Sequence, residues 1–159
     1  MNRWKKIFTI GVLTGVLTVS NLTPISVYAS SLLDKITSSE TSEDSSEDTS
    51  YSRLKGNNLN LGRVKITKLA SNKINVYGLT QCHHECDDVY LYLYLERKVN
   101  GSYGTYKYWE FNKENASNLT VSLNVLVPSG YYYRLRGYHA AKDGSKESTT
   151  TLTDGILVK

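Results

Sequence analysis

From Leu59 onward, apolar and polar residues alternate in short runs separated by turn-forming residues. Val89, Leu91, Leu93 and Leu95 share one parity, and Tyr90, Tyr92, Tyr94 and Glu96 the other. A period of two over this length predicts a strand across 88–99 with one face buried. Asn100-Gly101 then supplies the positive-φ positions of a tight hairpin turn. Residues 106–111 (YKYWEF) read as the returning strand, rich in aromatic rings that suit a pleated surface. Residues 63–70 and 73–81 read as two strands joined at Ser71-Asn72. In 119–127, Val121, Leu123, Val125 and Val127 fall on one side, and Pro128-Ser129-Gly130 ends the run. Residues 131–140 and 148–158, divided by Asp143-Gly144, complete about seven strands. No amphipathic helix is visible, and the spacing favours a β-sandwich over a barrel.

The chain ahead of these strands has a different pattern. Arg3, Lys5 and Lys6 precede a short apolar run from Ile7 to Val19, and Val27-Tyr28-Ala29 offers a cleavage site before Ser30. This predicts a signal peptide over 1–29 and a secreted, extracellular protein. The apolar run is too short for a spanning helix, which needs about 20 residues, so no transmembrane anchor is expected in the mature form. Neither a cleavage-site Cys nor a C-terminal sorting motif is present. Residues 37–52 (TSSETSEDSSEDTSYS) are nearly free of apolar side chains. Such a segment has little to bury against an ordering cost of roughly 1–2 kcal/mol per residue. The expectation is a disordered acidic linker over 30–58 and a folded domain over 59–159.

Charge sharpens this division. Of 19 basic and 15 acidic residues, three basic ones lie in the signal. Residues 51–159 keep 15 basic against 9 acidic groups, while 34–48 hold six acids against Lys35 alone. A modestly positive domain favours anionic partners such as wall polymers. It is far from a nucleic-acid footprint, and no nucleic-acid partner is expected.

Two resemblances rest on specific stretches. The run V-L-V-P-S-G-Y-Y-Y-R-L-R-G-Y (125–138), followed by K-D-G-S-K-E-S (142–148), resembles the last hairpin of fibronectin type III domains. That likeness implies an immunoglobulin/fibronectin-III-like sandwich. It also implies that Tyr131 takes a tyrosine-corner role, with Tyr133, Leu135 and Gly137 following it inward. The chain departs from that family in lacking a Trp on the second strand, where Val76 or Gly78 falls. Over 57–159, the segments G-Y-Y-Y-R-L-R-G-Y-H (130–139), Y-L-E-R (94–97) and T-D-G-I (153–156) resemble a family of uncharacterised small secreted proteins of Gram-positive Firmicutes. That resemblance implies export and a compact domain, and it carries no activity.

Candidate chemistry is sparse. Cys82 and Cys86, the only two cysteines, flank His83-His84-Glu85. In an exported chain a pair of cysteines is most simply a disulfide, and three intervening residues can close a tight loop. The rival is a metal site drawing on Cys82, His83, His84 and Cys86. Four tetrahedral ligands from five consecutive residues would strain the backbone, and oxidation competes for the thiols. No catalytic motif, phosphate-cradling Gly loop or cofactor signature occurs, so neither enzymatic activity nor a cofactor is expected.

The outward parity is more informative. With the aliphatic positions inside, Tyr90, Tyr92 and Tyr94 on one strand and Tyr132, Arg134, Arg136 and Tyr138 on another face away from the core. If these strands are neighbours, they form a continuous Tyr/Arg face. Tyr and Arg are enriched at binding hot spots. Two readings stay open: cross-strand pairs that only stabilise a solvated sheet, and a recognition surface for a glycan, wall polymer or host protein. The alternative at the level of the whole chain is a structural protein that self-associates through its sheet.

Overall fold

The computed structural model describes residues 39–52 and 56–159, so the expected signal peptide lies outside the described residues. The described chain is all-β. Its strands are β1 (Glu40–Thr41), β2 (Ser45–Tyr51), β3 (Leu59–Ala70), β4 (Lys73–Val99), β5 (Ser102–Leu126), β6 (Tyr131–Asp143), β7 (Ser145–Leu152) and β8 (Gly155–Val158). One sheet runs β1-β8-β6-β4-β3-β2, with β5 added on β4 and β7 on β6. This single sheet is nearly closed and barrel-like, where the strand spacing alone favoured two separate layers.

Two very long strands explain the difference. The sequence reads 73–81 and 88–99 as separate strands, yet β4 runs unbroken through the cysteine segment between them. It makes a hairpin with β5 at Asn100-Gly101, whose φ values of 52° and 85° are those the turn demands. The register then jumps: Gln81 pairs with Asn118 and Cys86 with Ala116, so residues 82–85 face one residue of β5. A bulge of this size bends the hairpin. Across it, Asn115 takes a left-handed φ of 49°, which Asn tolerates better than most side chains. Before the bend β4 pairs with β3, and after it with β6. The bend therefore lays β3 over β6.

Between them lies the core of Val64, Ile66, Ile74, Val76, Leu91, Leu93, Leu95, Val125, Val127, Tyr133, Leu135, Ile156 and Val158. The alternation across β4 and β6 thus points its aliphatic residues inward, as the sequence pattern requires. A smaller cluster at the bend gathers Leu59, Cys82, Cys86, Val89, Ala116 and Ala141. His139 of β6 crosses the interior fully buried. Its Nδ1 lies 3.0 Å from Thr80 Oγ1 and its Nε2 2.8 Å from Thr151 Oγ1. Gly62 makes room for the ring, since a Cβ there would sit 2.2 Å from it.

Two expectations need correction. Residues 39–52, assigned from composition to a disordered linker, form β1 and β2 instead. β2 is polar but pairs antiparallel with β3 along its whole length. Its acids meet the basic side chains of β3, with Glu47 3.5 Å from Arg63 and 3.8 Å from Lys65. Its far side reaches β7 and the turn beyond: Leu152 N–H donates to Asp48 Oδ2 (2.8 Å), Asp154 N–H donates to Ser46 Oγ (2.9 Å), and Ser50 Oγ lies 2.7 Å from Thr149 Oγ1. These bonds nearly close the barrel and offset the ordering cost that composition alone could not. The inward position and backbone hydrogen bond expected of Tyr131 belong to Tyr133 instead. Tyr131 is exposed at 38%, whereas Tyr133 is fully buried and donates its hydroxyl to Pro128 O at 2.9 Å. Tyr133, Leu135 and Gly137 are buried, in line with the inward set.

Candidate functional site: a tyrosine platform

β4 and β6 are direct neighbours, and their register sets Tyr92 opposite Tyr138, Tyr94 opposite Arg136, and Glu96 opposite Arg134. On the other side of β4, Tyr90, Tyr92 and Tyr94 face Asn112, Glu110 and Tyr108 of β5. The side chains that face away from the core therefore meet across three strands. Tyr92 and Tyr138 lie 5.5 Å apart between ring centres, Tyr90 meets Tyr92 edge-on at 6.4 Å, and Tyr94 stacks on Tyr108 at 6.3 Å. Arg136 sits 4.2 Å above the Tyr94 ring. Lys146 of β7 sits 4.3 Å from the ring centre of Tyr90 and 5.7 Å from that of Tyr138. The result is an aromatic platform with a cation near each end. Tyr90, Tyr92, Tyr94 and Tyr138 are half-buried, and Tyr108 is 63% exposed. Among the described residues, none of these five phenol hydroxyls has a protein hydrogen-bond partner. Rings that lean on one another while their hydroxyls stay uncommitted can stack on a planar or sugar face and still donate to it.

The structure brings most of the sequence-derived set together, with one correction and one outlier. Arg134 is not at the surface: it is 4% exposed and its Nε donates to Glu96 Oε2 at 2.7 Å. The Tyr103 ring covers it, 4.1 Å from the guanidinium. Glu96 is buried too, and Arg136 Nε donates to its other oxygen at 2.8 Å. Parity puts Arg134 on the outer side of β6, but the ring of Tyr103 on β5 closes over that end. Arg134 thus anchors Arg136 through a shared carboxylate instead of touching a ligand. Tyr132 pairs with Leu157 of β8, away from the platform. Sequence reasoning missed Tyr108 and Lys146. The hairpin turn at Asn100-Gly101 sets the β4–β5 register and could have found Tyr108. Lys146 depended on the β6–β7 pairing.

The cysteine segment forms the bend. Cys82 and Cys86 are both buried free thiols and are not within bonding distance, so the expected disulfide is not formed in this structure. Burial, followed by their mutual hydrogen bond and nearby negative charge, pushes the Cys82 thiol up to about 12. Burial raises Cys86 as well. His83, His84 and Glu85 point outward on the bulge, and His84 Nε2 lies 2.9 Å from Asp143 Oδ2. The alternative of a metal held by Cys82, His83, His84 and Cys86 does not fit. Among the described residues, no three Cys, His, Asp or Glu side chains converge on one point. No described helix is long and apolar enough to cross a membrane.

A family of unknown function, DUF6147, matches residues 32–156. The chain belongs to the DUF6147 family. The DUF6147 match begins ahead of β1 and ends in β8, so it takes in the acidic segment as well as the alternating strands. No curated protein matches. A solved structure, Spo0M, a sporulation control protein from Bacillus subtilis, is similar to this DUF6147 chain at 10% identity and a TM-score of 0.37. The alignment covers 74% of this chain and spans about half (51%) of the Spo0M chain.

Proposed function

We propose that this DUF6147 protein is a secreted, non-catalytic binding module whose tyrosine platform contacts an extracellular glycan, wall polymer or host protein. One observation carries the reading: five tyrosines on three adjacent strands share one face, their rings in mutual contact and their hydroxyls without partners among the described residues. Aromatic platforms bind sugar faces by stacking, and Arg136 and Lys146 add donors for anionic substituents. The test is a glycan array and a wall pull-down with the wild type, Tyr92→Ala and Arg136→Ala. Tyr92→Ala is expected to weaken capture roughly tenfold or more, consistent with the loss of a central aromatic anchor. Equal capture by both variants counts against the platform. Export belongs to the same reading, as does oxidation of Cys82 and Cys86 to a disulfide outside the cell, where an extracellular thiol–disulfide oxidant takes the two electrons and two protons. The intact mass of the secreted protein reads both: cleavage before Ser30, and a mass two hydrogens light.

A second reading, self-association, has its own support. β5 is 25 residues long and, among the described residues, pairs only with β4. Its other edge is open, and from Ala116 to Leu126 it carries no charged residue and no Pro. Sheet edges are usually blunted by such residues. Concentration-dependent light scattering that Thr120→Lys, at an exposed position of the same stretch, abolishes would favour this reading, and a monomer at all concentrations would exclude it.

A further inference from the structure

A second concave feature lies at the hairpin end of β4 and β5. It is a groove of about 320 Å³ lined by Arg97, Val99, Ser102, Tyr103, Gly104, Thr105 and Tyr106. Arg97 is central to it. On β4 it has the parity of Leu93 and Leu95 and pairs with the buried Tyr133, so it caps the open end of the core and stands apart from the platform. Its guanidinium is held between two rings, 4.7 Å from the centre of Tyr106 and 4.8 Å from that of Tyr131. Stacking fixes the plane of the guanidinium without using its in-plane donors.

Those donors are only partly used, one hydrogen bond joining Arg97 to the Tyr133 hydroxyl. Of the described arginines, Arg63, Arg134 and Arg136 each face a glutamate, and Arg97 faces none. Its Nε is buried and has no hydrogen-bond partner. A buried charged donor left unsatisfied is costly, and a native structure holding one calls for an explanation. Neighbouring charge is mostly positive. Lys107 approaches the Tyr106 ring at 5.5 Å, and Lys98 the Tyr103 ring at 5.7 Å. The nearby acids already have cationic partners: Glu40 pairs with Lys98, and Glu96 with Arg134 and Arg136.

We propose that this groove is a binding site for a carboxylate-bearing sugar residue. Arg97 takes the carboxylate through its fork, the Tyr106 ring walls the sugar, and Ser102 offers a hydroxyl to it. A planar guanidinium matches a carboxylate with two parallel bonds, and the groove has the size of a small-ligand site, about 300 Å³ or more. The proposal does not rest on the platform, which lies on the opposite side of β4.

Gly104 gives a clean test. It lines the groove, and a Cβ there would meet nothing within 4 Å, so Gly104→Val adds bulk beside Arg97 with no clash at Cβ. Glucuronate, glucose and a short peptide with a free C-terminal carboxylate are titrated by NMR against wild type, Gly104→Val and Arg97→Lys, with urea melts as the folding control. The expected result is saturable glucuronate binding that shifts residues 97–106. It should weaken roughly tenfold or more in both variants, whose loss of the fork or the space removes a bidentate pair. Glucose should bind at least as weakly as glucuronate does to Arg97→Lys. The proposal is overturned if glucuronate does not bind the wild type, if Gly104→Val binds it equally, if glucose matches it, or if the peptide binds more tightly.

Discussion

Replacing Glu96 with alanine lowers the unfolding free energy by roughly 3–5 kcal/mol, the range seen when one partner of a buried ion pair is removed. Glu96 is 6% exposed and Arg134 4%. The carboxylate accepts from Arg134 Nε at 2.7 Å and from Arg136 Nε at 2.8 Å, so a single side chain faces two guanidiniums. Its removal leaves the Arg134 charge under the Tyr103 ring without that counter-charge, in a place water does not reach freely. Glu96→Gln keeps an acceptor and the shape but loses the charge, and falls between the wild type and Glu96→Ala. Arg136→Ala behaves differently. The Arg136 side chain is 39% exposed, its share of the pair is screened, and the loss stays near or under about 1 kcal/mol. Urea melts of the three variants read this order. A Glu96→Ala midpoint close to that of Arg136→Ala would show that the network is not the anchor described.

The same network links stability to the platform. Arg136 over Tyr94 is held in place by Glu96, which is held in turn by Arg134. The Tyr/Arg parity was plain in the sequence because strand alternation is local. Which arginine touches solvent was not, because Tyr103 reaches Arg134 from a strand more than thirty residues earlier in the chain. The same distinction runs through the fold. Val89 to Leu95 and the Asn100-Gly101 turn declare themselves through period and φ. β2 does not. Its Ser, Glu and Asp residues are those of a solvated linker, and only Arg63 and Lys65 of β3, with backbone donors near β7, make a strand of it. The Cys82–Cys86 segment looked like a connecting loop because it lacks alternation. It is a bulge inside one strand, and its irregular composition is what allows β4 to bend and serve β3 and β6 in turn. Parity could not separate Tyr133 from Tyr131, since both share a face with Leu135; only the packing at the strand's start leaves Tyr131 exposed and buries Tyr133.

His139 was visible only as an isolated histidine, and it carries the other large expectation. Burial lowers its pKa from 6.5 to about 4. The groups found on the ring are neutral: Thr80, Thr151, Gly62, Gly137 and Val64, with the Leu79 backbone hydrogen bond opposing the lowering only in part. Among the described residues, no acid is placed to stabilise an imidazolium. The unfolded chain takes up a proton near pH 6.5, and the folded chain resists it until about pH 4, so in this interval the unfolded state binds more protons. Stability contributed by neutral His139 is therefore complete above about pH 6.5 and is lost as the pH falls through the folded pKa. At about 1.4 kcal/mol per pH unit, the loss approaches roughly 3 kcal/mol by pH 4. Surface carboxylates begin to protonate in the lower part of that range, so the diagnostic window is pH 6.5 to 5. There, urea midpoints of the wild type should fall steadily, and those of His139→Gln, which has no proton to gain, should stay level. A wild-type curve flat from pH 6.5 to 5 would mean that the ring is charged, or reached by water, inside the fold. The bridge between Thr80 and Thr151 would then not be the dry contact that holds β4, β6 and β7 together.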